Sequence, residues 1–493
     1  MTKISPPRSE FDPQLHTYRQ STQSGALITG FSQIFVAMSQ MASVIVLSRL
    51  LTPFDFGIVA MSWPVIGLLS IFQDLGLTQA TVQRPGITRS DVNCLFWINV
   101  LVSGLIAVAI FATAPLAAIF YDRHEVQPLL QAMSCLVLMQ GLGAQHSALL
   151  NRSMRFTSLA VMEVVGAVGG LAAAITWALI SPSYWALFGG SLVTVLLPAV
   201  LAWILSGWRP GLPRISADAS ALVKFGAGIT GFNLSNFVAR NADNVLIGRY
   251  LGEIPLGLYD RAYKLMLMPL RQATNPLARV MIPTLARLVD EPARYRNAYL
   301  KVVPLLLLAL LPGVAAMIVV APTLIPFLLG DTWRESAYIF TALGFAGLLQ
   351  PLNNPAGWLF ISQGRSSDFM YWGVVTAVTS VIAFVAGLPY GVFGVAVAYA
   401  ASEYIRTPAL WWYIGRRGPV QFHHVLSSAG PTVLGAHLSV LLLMVFDFPA
   451  VGNAIVQAML VAVVCYTATF LITVAFPSGR DVARNLLSLI PRG

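Results

Sequence analysis

The chain of 493 residues is 57% hydrophobic and only 10% charged, with mean hydropathy +0.73 and net charge +10. Soluble domains carry about 25% charged residues, so this composition excludes a water-soluble globular protein and indicates a polytopic membrane protein. Three cysteines, Cys94, Cys135 and Cys465, stand far apart in apolar runs without CxxC or Cys/His spacing, which argues against a disulfide framework or a metal site.

Residues 1–24 are polar and include Glu10, Asp12 and three prolines. With no apolar core followed by a small-residue cleavage site, this stretch reads as a cytoplasmic tail and not as a cleavable signal peptide. From Ala26 onward, fourteen apolar runs follow, near 26–48, 57–82, 94–120, 128–150, 157–180, 183–206, 222–248, 257–284, 302–328, 336–362, 370–388, 390–414, 427–447 and 451–476. A membrane-spanning helix needs about 20 such residues. The predicted fold is therefore all-α, with about fourteen transmembrane helices. No segment between runs is large enough for a soluble catalytic domain, and the chain has neither a GxxxxGK[ST] phosphate loop nor HExxH, so the expectation is a transporter and not an enzyme.

With both termini inside, 19 of the 30 basic residues fall in inside segments, among them Arg84, Arg152, Arg294, Arg296 and Arg416. Only Arg49, Arg123, Arg249 and Arg334 fall in outside turns. Cytoplasmic loops carry the Lys/Arg excess, so the basic charge reads as a topology signal and not as a nucleic-acid footprint.

Several sequence elements occur twice, in order, at an offset of 200 to 207: "SRLLTPFDFG" from Ser48 against "GRYLGEIPLG" from Gly248, ITGF at 28 and 229, FVA at 35 and 237, and Ala-Pro at 114 and 321. An even number of spans separates the copies, which predicts two six-helix lobes as parallel repeats, residues 25–206 and 222–415. Two further helices follow at 426–476, and a cytoplasmic tail at 477–493. Two like lobes suit alternating access; a duplicated scaffold without transport is the alternative.

Ionisable groups inside spans are costly and tend to face a cavity or a partner. In span 7, Asn233, Asn236, Arg240, Asp243 and Asn244 share an arc of about 100° on a helix of 3.6 residues per turn. An Arg240–Asp243 ion pair locking span 7 to a neighbour accounts for the same residues. In span 8, Arg261, Lys264, Arg271 and Arg279 line one side with only Asp260 opposing them, a pattern suited to an anionic substrate because guanidinium groups bind phosphate in a fork. Lys264 and Arg271 lie deepest, whereas Arg261 and Arg279 are placed to snorkel. The charges buried within the first lobe's spans are few and acidic, Asp74 and Glu163. Glu403 and Arg406 are spaced for an internal pair, Asn353 and Asn354 either line a cavity or cap a broken helix before Pro355, and His146 reads as a satisfied buried histidine.

"DLGLTQATVQR" at 74–84, "LSRLLTPFDFG" and "RNADNVLIGRYLG" at 240–252 resemble the polysaccharide-transporter branch of the multidrug/oligosaccharidyl-lipid/polysaccharide (MOP) exporter superfamily, and within it the Wzx-type and colanic-acid-exporter-type flippases. The resemblance implies a fourteen-helix, two-lobed fold in the bacterial inner membrane. It also implies a substrate of undecaprenyl-pyrophosphate-linked oligosaccharide units for exopolysaccharide, capsule or O-antigen synthesis, and partners among the polymerase and export machinery of that pathway. Arg240 and Asp243 stand at motif positions; the span 8 cations rest on the helical wheel alone. A MATE-like drug or cation antiporter and a lipid II flippase are the alternatives. No cofactor is expected, and Asp74, Glu163 or Asp243 are the groups open to a coupling proton or sodium ion.

Overall fold

The computed structural model describes residues 18–73, 78, 81–82, 86–212, 237, 241–446 and 452–487. They are helical almost throughout: α1 (Tyr18–Leu50), α2 (Pro53–Ser70), α3 (Arg89–Tyr121), α4 (Val126–Arg152), α5 (Phe156–Ile180), α6 (Tyr184–Ser206), α7 (241–250), α8 (Glu253–Arg287), α9 (Pro292–Leu329), α10 (Arg334–Asn353), α11 (Ala356–Ser362), α12 (Ser366–Gly387), α13 (Gly391–Gly415), α14 (Phe422–Val445), α15 (Ala454–Ala475) and α16 (Pro477–Leu487). A helix satisfies its own backbone, which lipid cannot do. Ten stretches are long and apolar enough to cross a bilayer, and one of them, Ser366–Gly415, comprises two helices. The polar α8 and α10 fall short on composition, and span 7 is described only in part.

Several helices start before their apolar runs, α9 by ten residues, and α2 ends at Ser70 before a turn at 71–73; two of the differences have a plain cause. Span 10 is two helices, because the chain turns at Asn354 and Pro355 and leaves the short α11. α2 starts four residues before the apolar run, at Pro53. There Thr52 donates from its amide and hydroxyl to Asp55 Oδ2 at 2.9 and 2.7 Å, a polar cap that hydropathy does not register.

The chain forms two compact units that divide between Gly257 and Leu258. In the first, α3 packs on α4, α5 on α6 and α4 on α6; in the second, α9 packs on α10, α12 on α13 and α10 on α13. One packing scheme is thus written twice. α14 and α15 join the second unit by packing on α9 and on each other.

The duplication extends to a turn where the sequences hardly match. After α4, Met154 takes φ +55°, and the Arg155 amide donates to Leu150 O at 2.9 Å. Arg155 Nη1 then donates to Leu205 O at 2.6 Å, near the end of α6. After α11, Gly364 takes φ +69°, the Arg365 amide donates to Phe360 O at 2.9 Å, and Arg365 Nη1 donates to Ile414 O at 3.3 Å, near the end of α13. In both units an arginine satisfies a helix C-terminal carbonyl, where a cation also suits the helix dipole.

Small residues set the tightest approaches. α5 presents Gly166, Gly170 and Ala174 to Gly190, Thr194 and Pro198 of α6, and a Cβ on Gly170 would stand 1.8 Å from Thr194 Oγ1. Lipid offers no hydrophobic drive between helices, so such close backbone packing holds them together. Gly57 and Gly257, the glycines of the two copies of the opening hairpin, cross in the first unit. A Cβ on Gly57 would lie 1.9 Å from Glu253 O, and one on Gly257 would lie 1.9 Å from Pro53 O. Arg123 pairs with Glu253 beside this crossing, and the carboxylate raises the Arg123 pKa above its usual value.

Gly170→Val is expected to cost about 1–3 kcal/mol by overpacking, read as a lower midpoint in detergent-denaturation curves. Gly364→Met should destabilise by about 1–2 kcal/mol, the cost of placing a side chain in the left-handed region. Met154→Gly should leave the midpoint unchanged or raise it.

Candidate functional site

α8 is the most polar long helix, and its charges are arranged with respect to one buried carboxylate. Asp260 is buried and holds Lys264 Nζ at 2.8 Å, one turn further along, while Lys264 itself is half exposed. Arg261 is buried next to Asp260, and Arg271 and Arg279 are exposed. Lys264 is therefore not a bare cation, as the helical wheel suggested, but one already balanced by Asp260. Pro269, Pro276 and Pro283 all lie within one continuous helix.

Aromatic rings accompany these charges. Tyr259 and Tyr263 stack at 5.9 Å between centroids, Tyr263 meets Tyr399 of α13 edge-on at 6.4 Å, and Tyr399 stacks on Phe384 of α12 at 5.5 Å. Gln350 Nε2 donates to the Tyr399 hydroxyl at 3.4 Å. The sequence reading passed over this ladder, although tyrosines at i and i+4 in "YDRAY" share a helix face and signal it. Charged groups that grip an oxyanion and ring faces that pack an apolar surface are thus brought together along α8.

A second polar network lies in the same unit. Arg406 Nη2 pairs with Glu403 Oε1, and its Nη1 donates to Ser380 Oγ at 2.6 Å and to Thr379 Oγ1 at 3.1 Å. Asn353 Nδ2 donates to Thr407 Oγ1 at 2.8 Å and to Glu403 Oε2 at 3.4 Å. The pair is nearly inaccessible and ties α10, α12 and α13 together, so Asn353 serves this network at the break in span 10.

In the first unit, Asp243 is buried and its Oδ1 accepts from the Asn244 amide at 2.8 Å. Glu163 is exposed and accepts from Gln33 Nε2 at 2.8 Å, linking α5 to α1. His146 is buried against Trp203, with ring centroids 4.3 Å apart, and its Nδ1 meets Ser206 Oγ at 2.9 Å. Nε2 of that ring has no protein hydrogen-bond partner, so the histidine is half satisfied. Asp74, Asn233, Asn236 and Arg240 lie outside the described residues. Among the described residues, no group of three or more His, Cys, Asp or Glu side chains is placed to hold a metal ion.

Comparison with solved structures places the fold. The chain superposes on lipid II flippase MurJ, in an inward closed conformation, with TM-score 0.74 at 13% identity, covering 93% of this chain and 100% of that one. It superposes on an inward-facing multidrug resistance MATE transporter of the MOP superfamily with TM-score 0.65 at 15% identity, covering 78% and 94%. Flippases and drug exporters share this architecture, so fold alone does not separate them. Sequence comparison is more selective. The lipopolysaccharide biosynthesis protein WzxC of Escherichia coli is 24% identical over 396 residues, 79% of this chain and 80% of its own length. The family model described as "Polysaccharide biosynthesis protein" matches residues 46–338. The chain is thus a multi-pass membrane protein that belongs to this polysaccharide biosynthesis family.

Proposed function

We propose that the protein is a flippase that moves polyprenyl-pyrophosphate-linked oligosaccharide units across the bacterial inner membrane for surface-polysaccharide synthesis, by alternating access between two lobes, residues 25–206 and 222–415. The observation that carries the reading is the α8 row of Arg261, Lys264, Arg271 and Arg279, in which Asp260 pairs with Lys264. Such a substrate couples a pyrophosphate to a sugar and a long lipid tail. Arg271 and Lys264 take the pyrophosphate oxygens and Tyr263 packs against the sugar; Arg240, Asp243, Asn233 and Asn236 of span 7 are the further residues assigned to the substrate from the sequence.

Lys264 has two partners to choose between. While the site is empty, Asp260 balances it; pyrophosphate competes for the same ammonium and gives it back on release. Both termini lie in the cytoplasm, as the Lys/Arg distribution implies, and a proton or sodium ion carried by Asp74, Glu163 or Asp243 couples the cycle to a gradient. The partners are the polymerase and export machinery of the same pathway.

Liposomes loaded with a polyprenyl-pyrophosphate oligosaccharide test this, by following how fast the sugar becomes accessible on the opposite side. Arg271→Ala should slow crossing about tenfold or more, the effect of losing a charge-assisted contact of roughly 1.5–3 kcal/mol. Lys264→Ala should slow it less, and Asp260→Asn should tighten substrate binding while slowing release. If the native chain moves drug cations and no lipid-linked sugar, the flippase reading fails.

Topology is tested by labelling intact cells with an impermeant maleimide. A cysteine at His124, 95% exposed, should label from outside, and one at the exposed Asn151 should label only after permeabilisation. Arg152 is unsuitable, because it is buried with Nη1 on Thr81 O at 2.7 Å. The reverse labelling pattern would overturn the orientation.

A further inference from the structure

In the second unit, three basic side chains meet where α9 and α14 begin, a few residues before the apolar run of α14. Arg296 Nη1 lies 3.5 Å from His424 Nε2, and the rings of His423 and His424 are 4.0 Å apart. The Gln421 amide donates to His424 Nδ1 at 3.2 Å. A backbone amide can only donate, and so can a guanidinium. A neutral imidazole has one acceptor nitrogen; the Gln421 amide makes the shorter of the two contacts, and the tautomer that accepts it puts the proton on Nε2. In that tautomer two N–H donors, Arg296 Nη1 and His424 Nε2, face each other, with no acceptor between them among the described residues.

Neighbouring carboxylates do not fill that place. Glu291 holds Arg294 at 2.8 Å, and Asp481 holds Arg484 at 3.3 Å. Other arginines find protein acceptors: Arg152, Arg155 and Arg209 each donate to backbone carbonyls at 2.6–2.7 Å. Converging donors that lack an acceptor at a membrane surface match a phosphate oxyanion, which accepts from several N–H groups at once. Basic clusters near the ends of membrane helices attract anionic headgroups.

We propose that Arg296, His423 and His424 form a binding site for a phosphate oxyanion at the membrane surface, supplied by the headgroup of an anionic phospholipid. The site is separate from the α8 cations, so its failure would leave the flippase reading untouched.

The test uses the full-length protein, native and as Arg296→Gln, His424→Gln and, for comparison, Arg294→Gln. Native mass spectrometry counts phosphatidylglycerol retained over phosphatidylcholine, with inorganic pyrophosphate added as a competitor in a second arm. The expected result is preferential retention of phosphatidylglycerol by the native chain, weakened about tenfold in Arg296→Gln and His424→Gln and unchanged in Arg294→Gln. Resistance of that lipid to pyrophosphate assigns the source to the headgroup, whereas its displacement keeps the oxyanion site and moves the source to free or carrier-linked phosphate. Equal retention of phosphatidylcholine, or retention unaffected by Arg296→Gln and His424→Gln, overturns the proposal.

Discussion

Lipid supplies neither water to a charge nor a partner to a carbonyl, and the placement of polar groups follows from that. Arg406 is surrounded by Glu403, Ser380, Thr379 and Thr376 O, while Asn353 reaches into the same network from α10. Breaking such a buried pair by removing one partner costs several kcal/mol, so the network fixes how α10, α12 and α13 sit together. Arg152 donates to Thr81 O, while Arg155 and Arg209 donate to Leu205 O and Trp203 O, carbonyls of the last turn of α6 that have no helix partner ahead of them. Along α8 four cations recur in one row, and the buried carboxylate of Asp260 pairs with Lys264.

The same solvent changes what brings helices together. Apolar side chains gain nothing by leaving lipid for protein, so contact depends on how closely two backbones approach. That is why the Gly170 and Gly190 surfaces of α5 and α6 interlock, and why Gly57 and Gly257 meet backbone to backbone. The last two glycines occupy equivalent places in the two copies of the hairpin motif. Their recurrence in the sequence therefore reports a geometric requirement: a side chain on either would push the other strand of backbone away.

The all-α polytopic fold was legible in the sequence, since apolar runs of bilayer length leave few other structures for the chain. What escaped was local. At the end of α10 the sequence offered Asn353 and Asn354 either to a cavity or to a broken helix, and hydropathy could not decide, because the residues after Pro355 are as apolar as those before it. The repeated turn at Arg155 and Arg365 was hidden because its two copies share little more than the arginine: one uses methionine and the other glycine for the same left-handed step. For the site, the α8 cations were visible as a row, but the state of each was not. Asp260 and Lys264 are four apart, and the spacing allows the contact without requiring it. Tyr399 and Phe384 come from other helices, and no spacing within α8 announces them.

The Asp260–Lys264 contact bears most directly on transport. A row of unbalanced cations at membrane depth would be costly to insert, at roughly 2.5–3.5 kcal/mol for each Arg or Lys at the helix centre, and would hold pyrophosphate too firmly to release it. A buried carboxylate beside Lys264 eases both difficulties, since it offsets the charge when the site is empty and competes with the anion when it is full. Only interactions that differ between states move an equilibrium. A lysine that exchanges between an internal carboxylate and a bound phosphate makes such a difference, whereas a permanently satisfied pair such as Glu403–Arg406 does not. In the flippase cycle proposed above, the half-exposed lysine next to a buried aspartate is the part of α8 whose partner changes as substrate comes and goes.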